Sequence, residues 1–224
     1  MFKIRNLEQE EIEFLYSSGG INDLCPVKPI WLRVVEVLHL DFDANLKQGK
    51  LICFDVAAKN IVAIFSSLLE AQFPIYSLNL MSDFEYDDEK SMKANNSSCF
   101  CNRNIAGTNI MSIHSYGLAI DINPVQNPML SICDEENYYI NAKIYPAGSG
   151  DYVNRDVPRA GMVEPIVDIF KNNGFDVWGG GWKNPIDYHH FQVNRELAEK
   201  LCIDDKNIRD ELWARHLQSN LKHI

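Results

Sequence analysis

Two segments of the chain hold the residue types that bind metals and move protons. The first reads Ser112-Ile113-His114-Ser115-Tyr116-Gly117-Leu118-Ala119-Ile120-Asp121. Along a strand starting at Gly117, Leu118, Ile120 and Ile122 face one side while Gly117, Ala119 and Asp121 face the other. The carboxylate then shares its face with the two smallest residue types, which implies a cavity beside it. His114 and Asp121 are seven positions apart, roughly 23 Å in a fully extended chain, so they meet at one ion only if the chain bends. Gly117 offers the hinge. Imidazole nitrogen and carboxylate oxygen both suit zinc, which accepts them at about 2.0 to 2.2 Å.

The second segment is Trp178-Gly179-Gly180-Gly181-Trp182-Lys183-Asn184-Pro185-Ile186-Asp187-Tyr188-His189-His190-Phe191-Gln192. Its glycine run lets backbone approach a ligand closely. A third protein ligand from here completes a His, Asp, His set and leaves the fourth position to water, the pattern of a catalytic rather than a structural zinc site. Asp187 is then available as the base that takes a proton from that water.

The first segment matches every fixed position of the Ser-x-His-x-x-Gly-x-Ala-x-Asp signature and so resembles the zinc D-alanyl-D-alanine peptidases. That family includes vancomycin-resistance carboxypeptidases and dipeptidases and bacteriophage L-alanyl-D-glutamate endopeptidase lysins. Asp187-Tyr188-His189-His190-Phe191 is similar to their acidic-x-x-His element, and the likeness extends over about Ile75 to Val193. The resemblance implies one Zn2+ with a catalytic water, held by His114, Asp121 and His190, with Asp187 as catalytic base. Adjacent histidines point oppositely on a strand, and spacing from Asp187 selects His190 over His189. Many relatives carry glutamate where Asp187 stands; the shorter acid belongs mainly to the lysin-like branch. Upstream, Asn96 to Arg103 resembles the family segment ending in an arginine near the metal, which makes Arg103 the group that binds the scissile carbonyl and the developing oxyanion. Ser98 and Ser112, next to matched residues, are expected to position substrate or ligands. Trp178 and Trp182 read as core or pocket-wall residues, with Trp182 carried as a substrate contact.

The implied activity is zinc-dependent hydrolysis of D-amino-acid-containing peptides, namely peptidoglycan stem peptides. Asp187 to Gln192 favours the L-alanyl-D-glutamate endopeptidase type over the D-Ala-D-Ala carboxypeptidase type. One alternative is a non-catalytic zinc-containing binding module, since the hedgehog signalling domain shares the fold and similar ligands; Asp187 and Arg103 favour the enzyme. The other is an intracellular peptidase with a substrate unrelated to cell walls.

The 224 residues correspond to about 1.5 typical domains, so one enlarged domain or a domain with appendages is expected. Hydrophobic residues at 46% against charged residues at 23% exclude disorder, collagen and coiled coil as descriptions of the whole chain. A net charge of −10 repels phosphate backbones and makes nucleic acid a poor partner. Acidic residues occupy the positions where a signal peptide needs an apolar run, and no stretch of about 18 apolar residues is present. No membrane span is expected. The chain reads as cytoplasmic as synthesised, with any release to the wall by a route other than an N-terminal signal. The six cysteines are scattered and read as thiols; Cys99-x-Cys101 has too short a gap for the usual zinc pairing. His39, His216 and His223 read as structural or solvated.

The elements that must position these residues follow from periodicity. Glu8 to Tyr16 predicts a helix, Leu32 to Leu40 and Leu51 to Phe54 a hairpin, Ala57 to Gln72 a helix, and Ile75 to Leu80 a strand. Ser82 to Gly107 reads as a long loop, Leu118 to Ile122 as a strand, and Met129 to Gly161 as an irregular excursion. Met162 to Asn172 predicts a helix, His189 to Val193 a last strand, and Arg195 to Leu201 with Ile208 to Leu217 a helical end. The expected organisation is an N-terminal arm (1–30), a zinc peptidase domain (31–194) and a C-terminal helical appendage (195–224). The fold class is α+β, a central mostly antiparallel sheet with flanking helices, hedgehog/DD-peptidase-like as the resemblance implies.

Overall fold

A computed structural model describes residues 2–135 and 139–220. In chain order the elements are β1 (Lys3–Asn6), α1 (Gln9–Ser17), β2 (Leu32–Leu40), β3 (Leu46–Phe54), α2 (Ala58–Glu70), α3 (Asp88–Lys93), β4 (Ala119–Asp121), β5 (Met129–Glu135), β6 (Tyr139–Tyr145), α4 (Val167–Asn172), β7 (Val177–Trp178), β8 (Ile186–Asp187), β9 (His190–Gln192), α5 (Arg195–Leu201) and α6 (Lys206–Asn220). The α+β class holds. The antiparallel pairing is divided among three sheets, ordered β1-β2-β3, β4-β9-β7 and β6-β5-β8.

The β2–β3 hairpin forms, but β3 starts at Leu46 and not at Leu51, so that Leu32 stands opposite Phe54 and Leu40 opposite Leu46. Helix α2 lies on it because Ile61, Ile64, Phe65 and Leu68 recur every three or four residues and all face inward. Each such side chain contributes about 1.5–3 kcal/mol relative to exposure. The chain ends join the same core: β1 pairs with β2, and Leu15, Leu201 and Trp213 belong to the main apolar cluster.

Three further sequence expectations are corrected. Ile75 to Leu80 is extended but forms no strand, with isolated bridges at Pro74 and Ser77 and a bond from Lys50 N to the Leu78 carbonyl (3.0 Å). Side-chain amides satisfy other parts of its backbone: Tyr76 N donates to Asn123 Oδ1 (2.9 Å) and Asn79 N to Asn96 Oδ1 (2.8 Å). The expected loop from Ser82 contains α3, whose start is capped by Asp87 accepting from Lys90 N (3.0 Å). The expected irregular excursion from Met129 holds the β5–β6 hairpin, with Met129 opposite Tyr145. Its polar residues, such as Ser131 and Lys143, interrupt the alternation that would reveal it. Of that stretch, 136–138 lie outside the described residues, as does His223, and nothing is described of the Cys133 side chain.

Candidate active site

The bend between His114 and Asp121 is built from a 3-10 turn and one glycine. Residues Ile113–Tyr116 form the turn, and the Ser112 hydroxyl caps it by accepting from His114 N (3.3 Å). Gly117 ends the turn at φ +66°, so the strand begins at Ala119 and not at the glycine. A Cβ at Gly117 would also stand 2.7 Å from Phe54 N, so no other residue fits without displacing β3. Strand β4 then pairs with β9, setting Asp121 directly opposite His190 and Ala119 opposite Gln192.

The small residues beside Asp121 leave room that two imidazoles fill. His114 Nε2 lies 3.1 Å from Asp121 Oδ2, His190 Nδ1 lies 2.9 Å from Asp121 Oδ1, and the two ring nitrogens are 3.2 Å apart. All three residues are buried, and one donor atom from each falls within 4.8 Å of the others. The remaining nitrogens are engaged elsewhere: His114 Nδ1 with the Cys99 carbonyl (2.5 Å) and His190 Nε2 with Gln192 Oε1 (2.8 Å). Carbonyl oxygens only accept, so those nitrogens carry hydrogens, which leaves His114 Nε2 and His190 Nδ1 as the nitrogens that face Asp121. Two ring nitrogens and a carboxylate converging in a buried space form a donor set that fits a divalent cation taking nitrogen and oxygen.

The electrostatics agree. Burial works to raise the Asp121 carboxyl, but the charges of His114 and His189 and the hydrogen bonds from His114 and His190 outweigh it and hold the group well below the usual carboxylate range. Burial works to lower His190, yet its bond to Asp121 lifts it to about 8.

Asp187 ends the two-residue strand β8, which pairs with β5 so that Met129 faces Asp187. Gly179 lies against it: an added Cβ would meet Asp187 O at 2.5 Å and Asp187 Cβ at 2.9 Å. The glycine run therefore closes on the acid itself. Burial raises the Asp187 carboxyl, with His189 and His190 opposing. His189 Nε2 stands 3.0 Å from Asp187 Oδ1 without hydrogen-bond alignment, and that buried oxygen has no hydrogen-bond partner.

Arg103 is locked to the His114 turn through its backbone. Its N–H donates to Ser115 Oγ (2.9 Å), and its carbonyl accepts from Ser112 N (3.0 Å) and Ser115 Oγ (2.8 Å). Its partly buried guanidinium meets Asp88 Oδ2 at 2.8 Å, while Nε has no hydrogen-bond partner. Burial disfavours its charge; Asp88 foremost, and Asp121 and Asp187 also, restore it and raise its pKa.

Residues 106–193 match the family model described as D-alanyl-D-alanine carboxypeptidase. This segment is similar to that peptidase family. It contains His114, Asp121, Asp187 and His190, while Arg103 and Ser98 lie just before it. No curated protein and no solved structure matches the chain.

Within the family segment, the structure separates the two adjacent histidines. His190 joins His114 and Asp121, and His189 turns to Asp187. Ser112 acts as a turn cap for His114. Ser98 exchanges both backbone hydrogen bonds with Asp121, at 3.1 and 2.9 Å, and so holds the carboxylate's strand. Trp182 forms a wall, its ring centroid 5.4 Å from that of His190. Cys99 and Cys101 contribute no donors: their sulfurs face carbonyls, and burial pushes the Cys101 thiol up to about 12. Sequence reasoning missed Asp88 and Gln192, and considered His189 only as a rival to His190. Gln192 had a usable signal, since residues two apart on a strand share a face.

Proposed function

We propose that the chain is a zinc-dependent metallopeptidase that hydrolyses D-amino-acid-containing peptides, with peptidoglycan stem peptides as substrate. One observation carries the reading: His114, Asp121 and His190 bring three donor atoms within 4.8 Å of one another, beside a buried carboxylate whose Oδ1 has no hydrogen-bond partner. In this reading His114 Nε2, the Asp121 carboxylate and His190 Nδ1 hold one Zn2+. Bound there, the ion supplies Lewis acidity that makes water nucleophilic near neutral pH.

Asp187 collects the proton as water attacks the peptide carbonyl, and passes it to the leaving amine, so one carboxyl group serves both halves of the reaction. Its raised pKa suits that exchange, since a carboxyl closer to neutrality both takes and returns protons more readily. Arg103, paired with Asp88, supplies the positive charge for the oxyanion. Ser98 and Ser112 hold the ligand-bearing backbone, and Trp182 lines the wall that substrate meets. The Asp187 to Gln192 element supports cleavage of the L-alanyl-D-glutamate type.

Mass spectrometry of products from defined stem peptides tests the reading and identifies the bond cut. The zinc-loaded parent should release two fragments, while Asp187→Ala should retain zinc by metal analysis and release none. Turnover by Asp187→Ala at the parental rate would remove the base from the mechanism.

A further inference from the structure

His189 has no part in the reaction as described, yet its Nε2 lies 3.0 Å from an oxygen of the base. Its buried ring donates from Nδ1 to the Asn127 carbonyl (2.8 Å) and sets Nε2 3.0 Å from Asp187 Oδ1. That carbonyl belongs to a rigid hub. Asn127 Nδ2 donates to the carbonyls of Ile122, Asn123 and Gly161, and its Oδ1 accepts from Val163 N and Arg155 Nη2. Arg155 is in turn forked onto Glu164 by two 2.6 Å bonds and lies over the Tyr188 ring at 4.4 Å. Asp187, by contrast, sits at the end of a two-residue strand with its buried oxygen lacking any aligned donor.

We propose that His189 is a positioning residue that holds the Asp187 carboxylate in the orientation from which it meets the attacking water, with the Asn127 hub as its fixed support. The inference rests on the peptidase reading above. Both ring nitrogens of His189 are directed at other protein groups, so it stands outside the ligand set. A side chain that only filled space would need neither the backbone anchor nor the approach to Asp187, and its loss would leave the chemical step alone.

The test uses the full-length, zinc-loaded protein with His189→Ala and His189→Gln, the latter restoring an amide donor near the position of Nε2. His189→Ala should keep its metal and its KM while kcat falls about 10–100-fold, the usual effect of removing such a support; His189→Gln should recover most of the loss. Zinc lost from His189→Ala, or an unchanged kcat, would overturn the proposal. Independently of turnover, long-range proton–nitrogen correlation spectra should show a His189 Nε2 resonance that moves in Asp187→Asn. An unmoved resonance would refute the contact. A parent that cleaves no stem peptide defeats the peptidase reading, while the spectra still judge the contact between His189 and Asp187.

Discussion

Gln192 shows how much the candidate centre depends on residues that touch no substrate. Its Oε1 fixes which nitrogen of His190 carries the hydrogen, and thereby which one is free to bind a cation. Gln192→Leu should weaken zinc affinity by about 10–100-fold, read by competition with a chromogenic chelator; equal affinity would mean that the ring is oriented by packing alone. At this scale much was legible in the sequence. His114, Asp121, Asp187 and His190 stand out because their chemistry is rare in combination and their spacing is restrictive. Asp88 was not legible: one acid within the charged run Asp83 to Lys90 gives no sign that it alone reaches Arg103, because that contact depends on α3 packing against a distant turn. His189 was weighed only as a rival ligand, since alternation on a strand shows that neighbours diverge but not what the diverging one meets.

Among the elements, the turn at Gly117 connects sequence to site most directly. Gly117→Ala meets a left-handed conformation disfavoured for a side chain by about 1–2 kcal/mol and a backbone contact at 2.7 Å. Urea unfolding should show at least that loss, with His114 displaced and zinc affinity reduced. A second element contact gives a pH signature. Arg5 of β1 forks onto Glu11 of α1 with two 2.7 Å bonds, and that bond, against the opposing effect of burial, lowers the Glu11 pKa. A carboxyl depressed by folding adds stability above its unfolded pKa of about 4.3, and the gain is lost as pH falls through the folded value. Arg5→Ala should therefore be destabilised at neutral pH by less than about 1 kcal/mol and converge on the parent in acid, as thermal melts across pH would show. Long apolar elements such as β2 and α2 announced themselves, whereas the polar half of β3, Lys47 to Lys50, did not. Ile75 to Leu80 misled because apolar alternation states which way side chains face, not whether the backbone finds a strand or an asparagine.

For the whole molecule, the two ends are fastened to the core that supports the site. Arg209 of α6 pairs with Asp55 at 2.9 Å, both side chains almost fully buried, and Arg33 of β2 approaches the same carboxylate at 3.7 Å. Lys28 pairs with Asp204 across the N-terminal segment and the loop between α5 and α6. Asp55→Ala leaves Arg209 buried without its counter-charge, a change expected to cost about 3–5 kcal/mol; denaturant titration would show it, and a loss under about 1 kcal/mol would indicate that water reaches the arginine. The net charge of −10 argues against a phosphate backbone as partner, and among the described residues no helix is long and apolar enough to cross a membrane. Composition conveyed these broad features. How the ends dock was not visible in it, because Asp55 and Arg209 lie 154 positions apart and neither carries a mark of the other.

Under the proposed zinc reading, the alignment of Asp121 with His190 across β4 and β9 would make metal capture and strand registration a single event. An offset of one residue would put Phe191 beside the carboxylate and swing the imidazole to the opposite face. Misaligned chains would then forfeit the ion, and a captured ion would clamp the correct alignment shut.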